Sequence, residues 1–183
     1  MLQVLAVVKG RNQMIPGRTE LSNLIVKGGG LVEGAIDITL QTQVNGFELT
    51  IERVEAFDGP GRIGFDNVDR ELPAYRPLSW DENGWLFLPK GCYKILFNET
   101  VSIPKDMCAI ARPRSSLLRM GATVHTGVWD AGYRGRSEAL LAIYNEHGLY
   151  LKQNTRAIQL IFMRLDSAQE GYSGRYMNEN VLH

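Results

Sequence analysis

The sequence has no excess of charge of either sign: twenty Lys and Arg stand against twenty Asp and Glu in 183 residues. That balance removes the electrostatic footprint of a protein that grips a long nucleic-acid backbone, while leaving room for local basic clusters facing a small anion. Cysteine is scarce. Cys92 and Cys108 are the two present, without metal-ligand spacing or the density of a disulfide framework, so they fit a reducing cytosol and are expected to be buried as small hydrophobes. Long apolar runs are also missing. Met1 to Val8 is broken off by Lys9, too short for a signal-peptide core with a cleavage site and far too short to span a bilayer. The expectation is a cytoplasmic protein with neither a nucleic-acid nor a membrane partner.

Helical periodicity is nearly absent too. One short helix is predicted over Glu20 to Val26, with Thr19 as its N-cap and Gly28, Gly29 and Gly30 as its stop. What is present is alternation. Ala35 to Thr42 and Phe47 to Val54 read as two strands joined by a turn at Asn45-Gly46. Further short strands are predicted at Trp85 to Leu88, Cys92 to Phe97, Met107 to Ala111, Ala139 to Tyr144, Leu149 to Lys152 and Ala157 to Leu165. With 44% apolar and 22% charged residues, the chain can bury one core, and its length suits one domain over 1–183. Many short strands and almost no helix argue for an all-β sandwich, barrel or jelly roll. Residues 1–33 form an N-terminal extension. Residues 57–82, rich in Gly and Pro, read as a loop-rich insertion, and the polar stretch 169–183 reads as a mobile C-terminal arm.

Four segments concentrate chemistry. Ala111 to Gly121 (ARPRSSLLRMG) offers Arg112, Arg114 and Arg119 with Ser115 and Ser116, groups suited to phosphate oxygens, though a charged surface turn has the same composition. Thr126 to Gly135 (TGVWDAGYRG) sets Asp130 and Tyr133 around Gly132, where an Asp can equally bond its own turn. In Asn154 to Leu165 (NTRAIQLIFMRL), Gln159 interrupts an apolar strand and needs partners, structural or ligand. In Glu33 to Leu40 (EGAIDITL), Asp37 among aliphatic residues should be paired, hydrogen-bonded or close to a metal's water shell.

The order of these segments resembles the dUTPase and dCTP deaminase superfamily: GAIDITL is similar to its first motif, PRSSL to its second, GVWDAGYRG to its third and RAIQLIF to its fourth. The resemblance covers roughly Glu33 to Leu165, apart from Phe57 to Glu82. It implies a distorted β-barrel or jelly roll of the dUTPase-like type, assembled as a homotrimer with active sites shared between subunits. It also implies dUTP as substrate and Mg²⁺ held by the triphosphate and water, with no direct protein ligand. By the same resemblance Asp130 orients and deprotonates the attacking water, and Tyr133 lies against the deoxyribose. Arg114 and Ser115, with Ser116 and Arg119 in the same segment, contact phosphate. Gln159 and Asp37 stand near the phosphates and the water shell of the ion. Backbone groups from Tyr133 to about Asn145 would read the uracil edge, and Arg175 and Tyr176 would serve as lid residues.

The superfamily also contains dCTP deaminases and bifunctional enzymes, which resemble this chain but use a glutamate on the strand after the third motif. Here Leu140 or Ala142 stands at that place, and neither can shuttle a proton. Glu138 lies nearby, reaching the base only through a local shift or bulge. The resemblance is therefore to archaeal-type dUTPases, with dCTP deamination, alone or combined, and non-catalytic nucleotide binding as the alternatives.

Overall fold

In the computed structural model, which describes residues 14–26 and 30–181, the chain starts with helix α1 (Arg18–Val26). Of the glycines expected to stop it, Gly28 and Gly29 lie outside the described residues, as do the run Met1 to Val8 and the last two residues of the arm. Gly30 passes so close that a Cβ would sit 1.8 Å from the Ile25 carbonyl oxygen, a contact only glycine permits. No helix among the described residues is long and apolar enough to cross a membrane.

The rest is mainly antiparallel sheet. Strands β1 (Val32–Glu33), β2 (Thr42–Gln43), β3 (Gly46–Asp58), β4 (Ala74–Pro77), β5 (Trp85–Leu88), β6 (Gly91–Phe97) and β7 (Thr100–Ser102) come first. They are followed by β8 (Met107–Pro113), β9 (Ala122–His125), β10 (Arg134–Gly135), β11 (Glu138–Ile143), β12 (Leu149–Lys152) and β13 (Arg156–Arg164). The large sheet runs β8-β13-β3-β6-β11-β9, with β2 and β4 both pairing to β3. A small sheet runs β1-β7-β10, and β12 pairs with β5. The large sheet nearly closes into a barrel, because Trp129, just beyond β9, exchanges both backbone hydrogen bonds with Ala109 of β8 (2.9 and 3.0 Å). Closure of this kind removes sheet edges.

Strand β3 is the long central element. It bends at a register shift between Ile51 and Arg53 against β6, and β13 shifts between Arg156 and Ile158 against it. Such bulges raise local twist and let one strand serve two neighbours. Its Phe47, Leu49 and Ile51 are fully buried with Phe97, Leu141, Ile158 and Phe162. Removing a side chain of this size from water is worth about 1.5–3 kcal/mol.

Three local readings are corrected by the structure. Ala35 to Gln41 is not strand, and strand begins only at Thr42: Asp37 caps a four-residue helix α2 (Ile38–Gln41), its Oδ1 accepting from the Thr39 and Leu40 amides at 3.0 and 2.9 Å. An aspartate able to satisfy two orphan amides outweighs the weak pull of alternation over so few residues. The hairpin exists, but Gln43 already pairs with Gly46, so its turn is Val44-Asn45. A second short helix, α3 (Ser115–Arg119), follows β8. Cys92 is exposed and Cys108 partly buried, against the expectation of buried thiols, since both sit on strand positions whose neighbours carry the core.

Helix α2 is anchored from below by one buried carboxylate. Glu99 is fully buried, accepting from the Thr50 amide (2.9 Å), the Thr50 hydroxyl (2.6 Å) and Gln41 Nε2 (2.6 Å). Gln41 Nε2 also donates to the Glu48 carbonyl, and its Oε1 accepts from the Asp37 amide. Burial pushes the Glu99 carboxyl above its ordinary value of 4.5, opposed by the bonds from Thr50 and Gln41. The expected outcome for Glu99→Gln is a loss of about 1–3 kcal/mol of stability, because an amide NH₂ must face a donor. A carboxyl raised on folding stabilises fully below its unfolded value, and that contribution fades as pH rises through the folded value. Denaturant titrations should therefore show wild type exceeding the variant by more at about pH 5 than at about pH 8; a gap that does not narrow contradicts this assignment.

Candidate functional site

The third-motif segment forms a tight turn pinned from both sides. Trp129 is held by Ala109. Gly132 N–H donates to the Ile103 carbonyl (2.9 Å), and Ile103 N–H donates to the Tyr133 carbonyl (2.8 Å). Gly132 has φ +81°, and a Cβ there would come within 2.8 Å of Gly171 Cα, so the turn needs glycine for both conformation and space. Asp130 is thereby left exposed at the crest, while Tyr133 is buried.

The turn opens onto a cavity of ≈ 400 Å³ lined by Asp130, Tyr133, Ser137, Glu138, Tyr172, Tyr176 and Glu179, with Leu72 and Tyr75 contributed by the insertion. Tyr133 Oη lies 2.9 Å from Ser137 Oγ and 2.8 Å from Glu179 Oε1, and Trp129 Nε1 donates to Ser137 Oγ at 2.6 Å. Burial is the main reason the Tyr133 phenol is held well above its usual range, the Glu179 carboxylate adding to it. Burial also raises Glu179, opposed by the bond from Tyr133.

Glu138 forms part of the wall, accepting from Lys94 Nζ at 2.9 Å. Lys94 pairs also with Glu55 (2.6 Å) and lies 3.7 Å from the centre of the Tyr75 ring. Burial alone would depress the Lys94 ammonium, but its bonds to Glu55 and Glu138 outweigh that and leave it raised. No bulge was needed to bring Glu138 here, since β11 pairs with β6 in continuous register from Glu138 to Ile143. Among the described residues the wall thus carries three carboxylates and no lysine or arginine.

The remaining candidates form a second group outside this cavity. Glu48, nearly fully buried, takes Arg114 Nε at 2.7 Å and Arg156 Nη1 at 2.8 Å on its two oxygens. Arg156 Nη1 also donates to the Leu40 carbonyl at the end of α2, which ties Asp37's helix to the same region. Gln159 is half-buried on β13, in register with Arg112 on one side and Glu48 on the other. Ser115 and Ser116 are exposed at the start of α3, and Arg119 is exposed at its end. None of Asp37, Arg114, Ser115, Ser116, Arg119 or Gln159 lines the cavity. Among the described residues no cluster of three or more His, Cys, Asp or Glu is placed to hold a metal ion.

The arm expected to be mobile is docked along the cavity through residue 181. Tyr172 N–H donates to the Ala131 carbonyl, Asn178 N–H to that of Arg134, and Arg136 N–H to that of Glu179. Tyr176 lines the cavity with Arg70 over its ring at 5.6 Å, whereas Arg175 is exposed. Ser137, Glu179 and the insertion's Tyr75 were not singled out from sequence. A lone serine between charged residues, a glutamate in a polar tail and a tyrosine in a Pro-rich loop carry no periodic signal.

Known proteins of one family resemble the chain over most of its length. Residues 17–165 match the dCTP deaminase-like family. The probable deoxyuridine 5'-triphosphate nucleotidohydrolase of Methanosarcina acetivorans is 52% identical over 163 residues, covering 88% of this chain and 95% of the relative. That of Archaeoglobus fulgidus is 46% identical over 162 residues, with 88% and 95% covered. The deoxyuridine 5'-triphosphate nucleotidohydrolase of Methanocaldococcus jannaschii is 34% identical over 137 residues, with 74% and 86% covered. Among solved structures, the 2'-deoxycytidine 5'-triphosphate deaminase of Agrobacterium tumefaciens superposes with TM-score 0.64 at 20% identity, over 84% of this chain and 49% of that one, a likeness of fold. By its family match and its archaeal relatives, the chain belongs to the dUTPase and dCTP deaminase superfamily, in the archaeal-type dUTPase branch.

Proposed function

We propose that the protein hydrolyses dUTP to dUMP and pyrophosphate, limiting uracil incorporation into DNA and supplying dUMP. The observation that carries this reading is Asp130, an exposed carboxylate fixed on a pinned turn at the rim of a cavity of nucleoside size. A general base needs a defined position and free lone pairs, and this turn provides both. One water is consumed: Asp130 takes its proton, its oxygen attacks the α-phosphorus, and the bond to the departing pyrophosphate breaks. Tyr133 lies against the deoxyribose, where a ribose 2′-hydroxyl would be crowded.

The cavity of a single chain has acidic walls and, among the described residues, no cation, a poor place for a triphosphate. Arg114, Ser115, Ser116, Arg119 and Gln159, the groups suited to phosphate, lie elsewhere on the chain. Both facts favour a site shared between subunits, with the phosphate group of one facing the cavity of the next; the family resemblance makes that assembly a homotrimer. The triphosphate arrives as its Mg²⁺ chelate, the ion supplying charge neutralisation. Asp37 would face its water shell: both helix-capping bonds fall on Oδ1, which leaves the other carboxylate oxygen for a water of the ion. Tyr176 adds to the enclosure over the substrate, whereas Arg175, exposed and outside the cavity lining, does not reach it within the same chain.

A second reading, dCTP deamination, is favoured by Glu138 in the cavity wall. Against it, Glu138 is tied to Lys94. Purified protein given dUTP and dCTP in parallel is expected to release pyrophosphate from dUTP and no ammonia from dCTP; ammonia would transfer the protein to the deaminase reading. Asp130→Asn should lower turnover by about a thousandfold or more while nucleotide binding survives, as for other groups acting mainly in the transition state. Retained turnover removes Asp130 from the chemistry. For the shared site, co-assembly of Asp130→Asn with Ser115→Ala chains is expected to recover activity that neither variant has alone. No recovery in verified mixed trimers means each site is built within one chain.

A further inference from the structure

The hydrogen bonds around Tyr133 have a direction that follows from proton counting. Trp129 Nε1–H can only donate, so Ser137 Oγ is the acceptor of that 2.6 Å bond. Ser137 then has one proton to give, and Tyr133 Oη, at 2.9 Å, is the partner it has among the described residues. Tyr133 likewise has one proton, which goes to Glu179 Oε1 at 2.8 Å. The reverse wiring, with Tyr133 donating to Ser137, leaves the Ser137 proton without an acceptor and Glu179 without a donor unless it is itself protonated. Buried polar groups are rarely left so. Ser137 is buried and held where the chain crosses from β10 to β11, its carbonyl accepting from Phe97 N–H.

The last acceptor in this series is not part of the barrel. Glu179 belongs to the C-terminal arm and reaches the cavity by pairing alongside Gly135. Its backbone takes the Arg136 amide, and Asn178 N–H takes the Arg134 carbonyl at 2.7 Å. The arm therefore occupies both the Tyr133 hydroxyl and the backbone edge beside it, the groups a bound nucleoside would need.

We propose that Ser137 is a positioning residue that commits the Tyr133 hydroxyl to donate into the nucleotide cavity, and that Glu179 is a built-in occupant holding the place of a nucleoside oxygen until substrate displaces it. The proposal rests on the nucleotide-hydrolase reading. It specifies the ligand chemistry at this point: an oxygen that accepts, from the sugar 3′ position or a pyrimidine carbonyl, in place of a carboxylate.

The test is a double-mutant cycle on dUTP hydrolysis with Ser137→Ala, Tyr133→Phe and both. Ser137→Ala is expected to raise KM about fivefold to tenfold with kcat nearly unchanged, the size of one hydrogen bond made alike in ground and transition states. In the Tyr133→Phe background the same change should add nothing, because the serine acts only through that hydroxyl. Additive losses, or a fall in kcat at constant KM, overturn the positioning role. Glu179→Ala leaves the barrel untouched and is expected to tighten dUMP binding about threefold by removing a competing acceptor; unchanged or weaker binding overturns the occupant. With 2′,3′-dideoxyuridine triphosphate, disappearance of the Ser137→Ala effect assigns the 3′ oxygen and persistence assigns a base carbonyl. Wild-type protein that neither turns over dUTP nor binds dUMP sinks the nucleotide reading and this proposal with it, whereas wild-type turnover with an additive cycle sinks only the relay.

Discussion

The two backbone hydrogen bonds between Trp129 and Ala109 carry more of this molecule than their size suggests. They join the segment after β9 to the opposite edge strand β8, so that a sheet of limited length comes close to sealing its own edges. They also hold the residue before Asp130 still. With Trp129 fixed at one end of the turn and Tyr133 bonded to Ile103 at the other, the aspartate between them has little freedom left to lose. The indole of the same tryptophan sets the direction of the hydrogen bonds that reach Tyr133. Closure of the barrel and orientation of the site are one event.

The strands of the barrel were largely legible because alternation is a strong signal where one face meets a core. Leu149–Lys152 has its predicted bounds and alternates buried and exposed, and the β6, β8, β11 and β13 segments were found within a residue or two of their ends. Alternation misled at Ala35 to Thr42, where the pattern was real but Asp37 could cap a helix and Glu99, far away in sequence, could anchor it. Nothing local announces such a partner. The insertion hid β4 for a related reason: Ala74–Pro77 is mostly exposed and gains its order by pairing back onto β3.

The site was legible as a set of residues and not as an arrangement. Motif order singled out Asp130, Tyr133, Arg114 and Gln159, but spacing along a chain says nothing about which motifs share a cavity. The separation into an acidic cavity and a cation-bearing surface region became visible only from the fold. The docked arm was opaque for a different reason. Its contacts with the barrel use backbone groups, the Glu179 carboxylate, the Asn180 amide and the isolated rings of Tyr172 and Tyr176, and a polar, glycine-containing tail without periodicity looks the same whether or not such partners exist.

Strand β3 has a consequence for how the molecule is made. Its pairing with β13 joins Leu49 to Ile158, residues on the order of a hundred positions apart, the kind of non-local contact that slows folding. During synthesis the central strand emerges long before the neighbour that will cover it, and the sheet cannot be completed until nearly the whole chain exists. In that interval β3 is a 13-residue extended segment carrying Phe47, Leu49, Ile51 and Val54, a hazard for pairing with other chains. Glu48, Glu52, Arg53 and Glu55 punctuate the same segment, and charges at such intervals resist intermolecular stacking. Residues that later form ion pairs in the finished barrel thus also act as gatekeepers for a nascent chain waiting for its last strand.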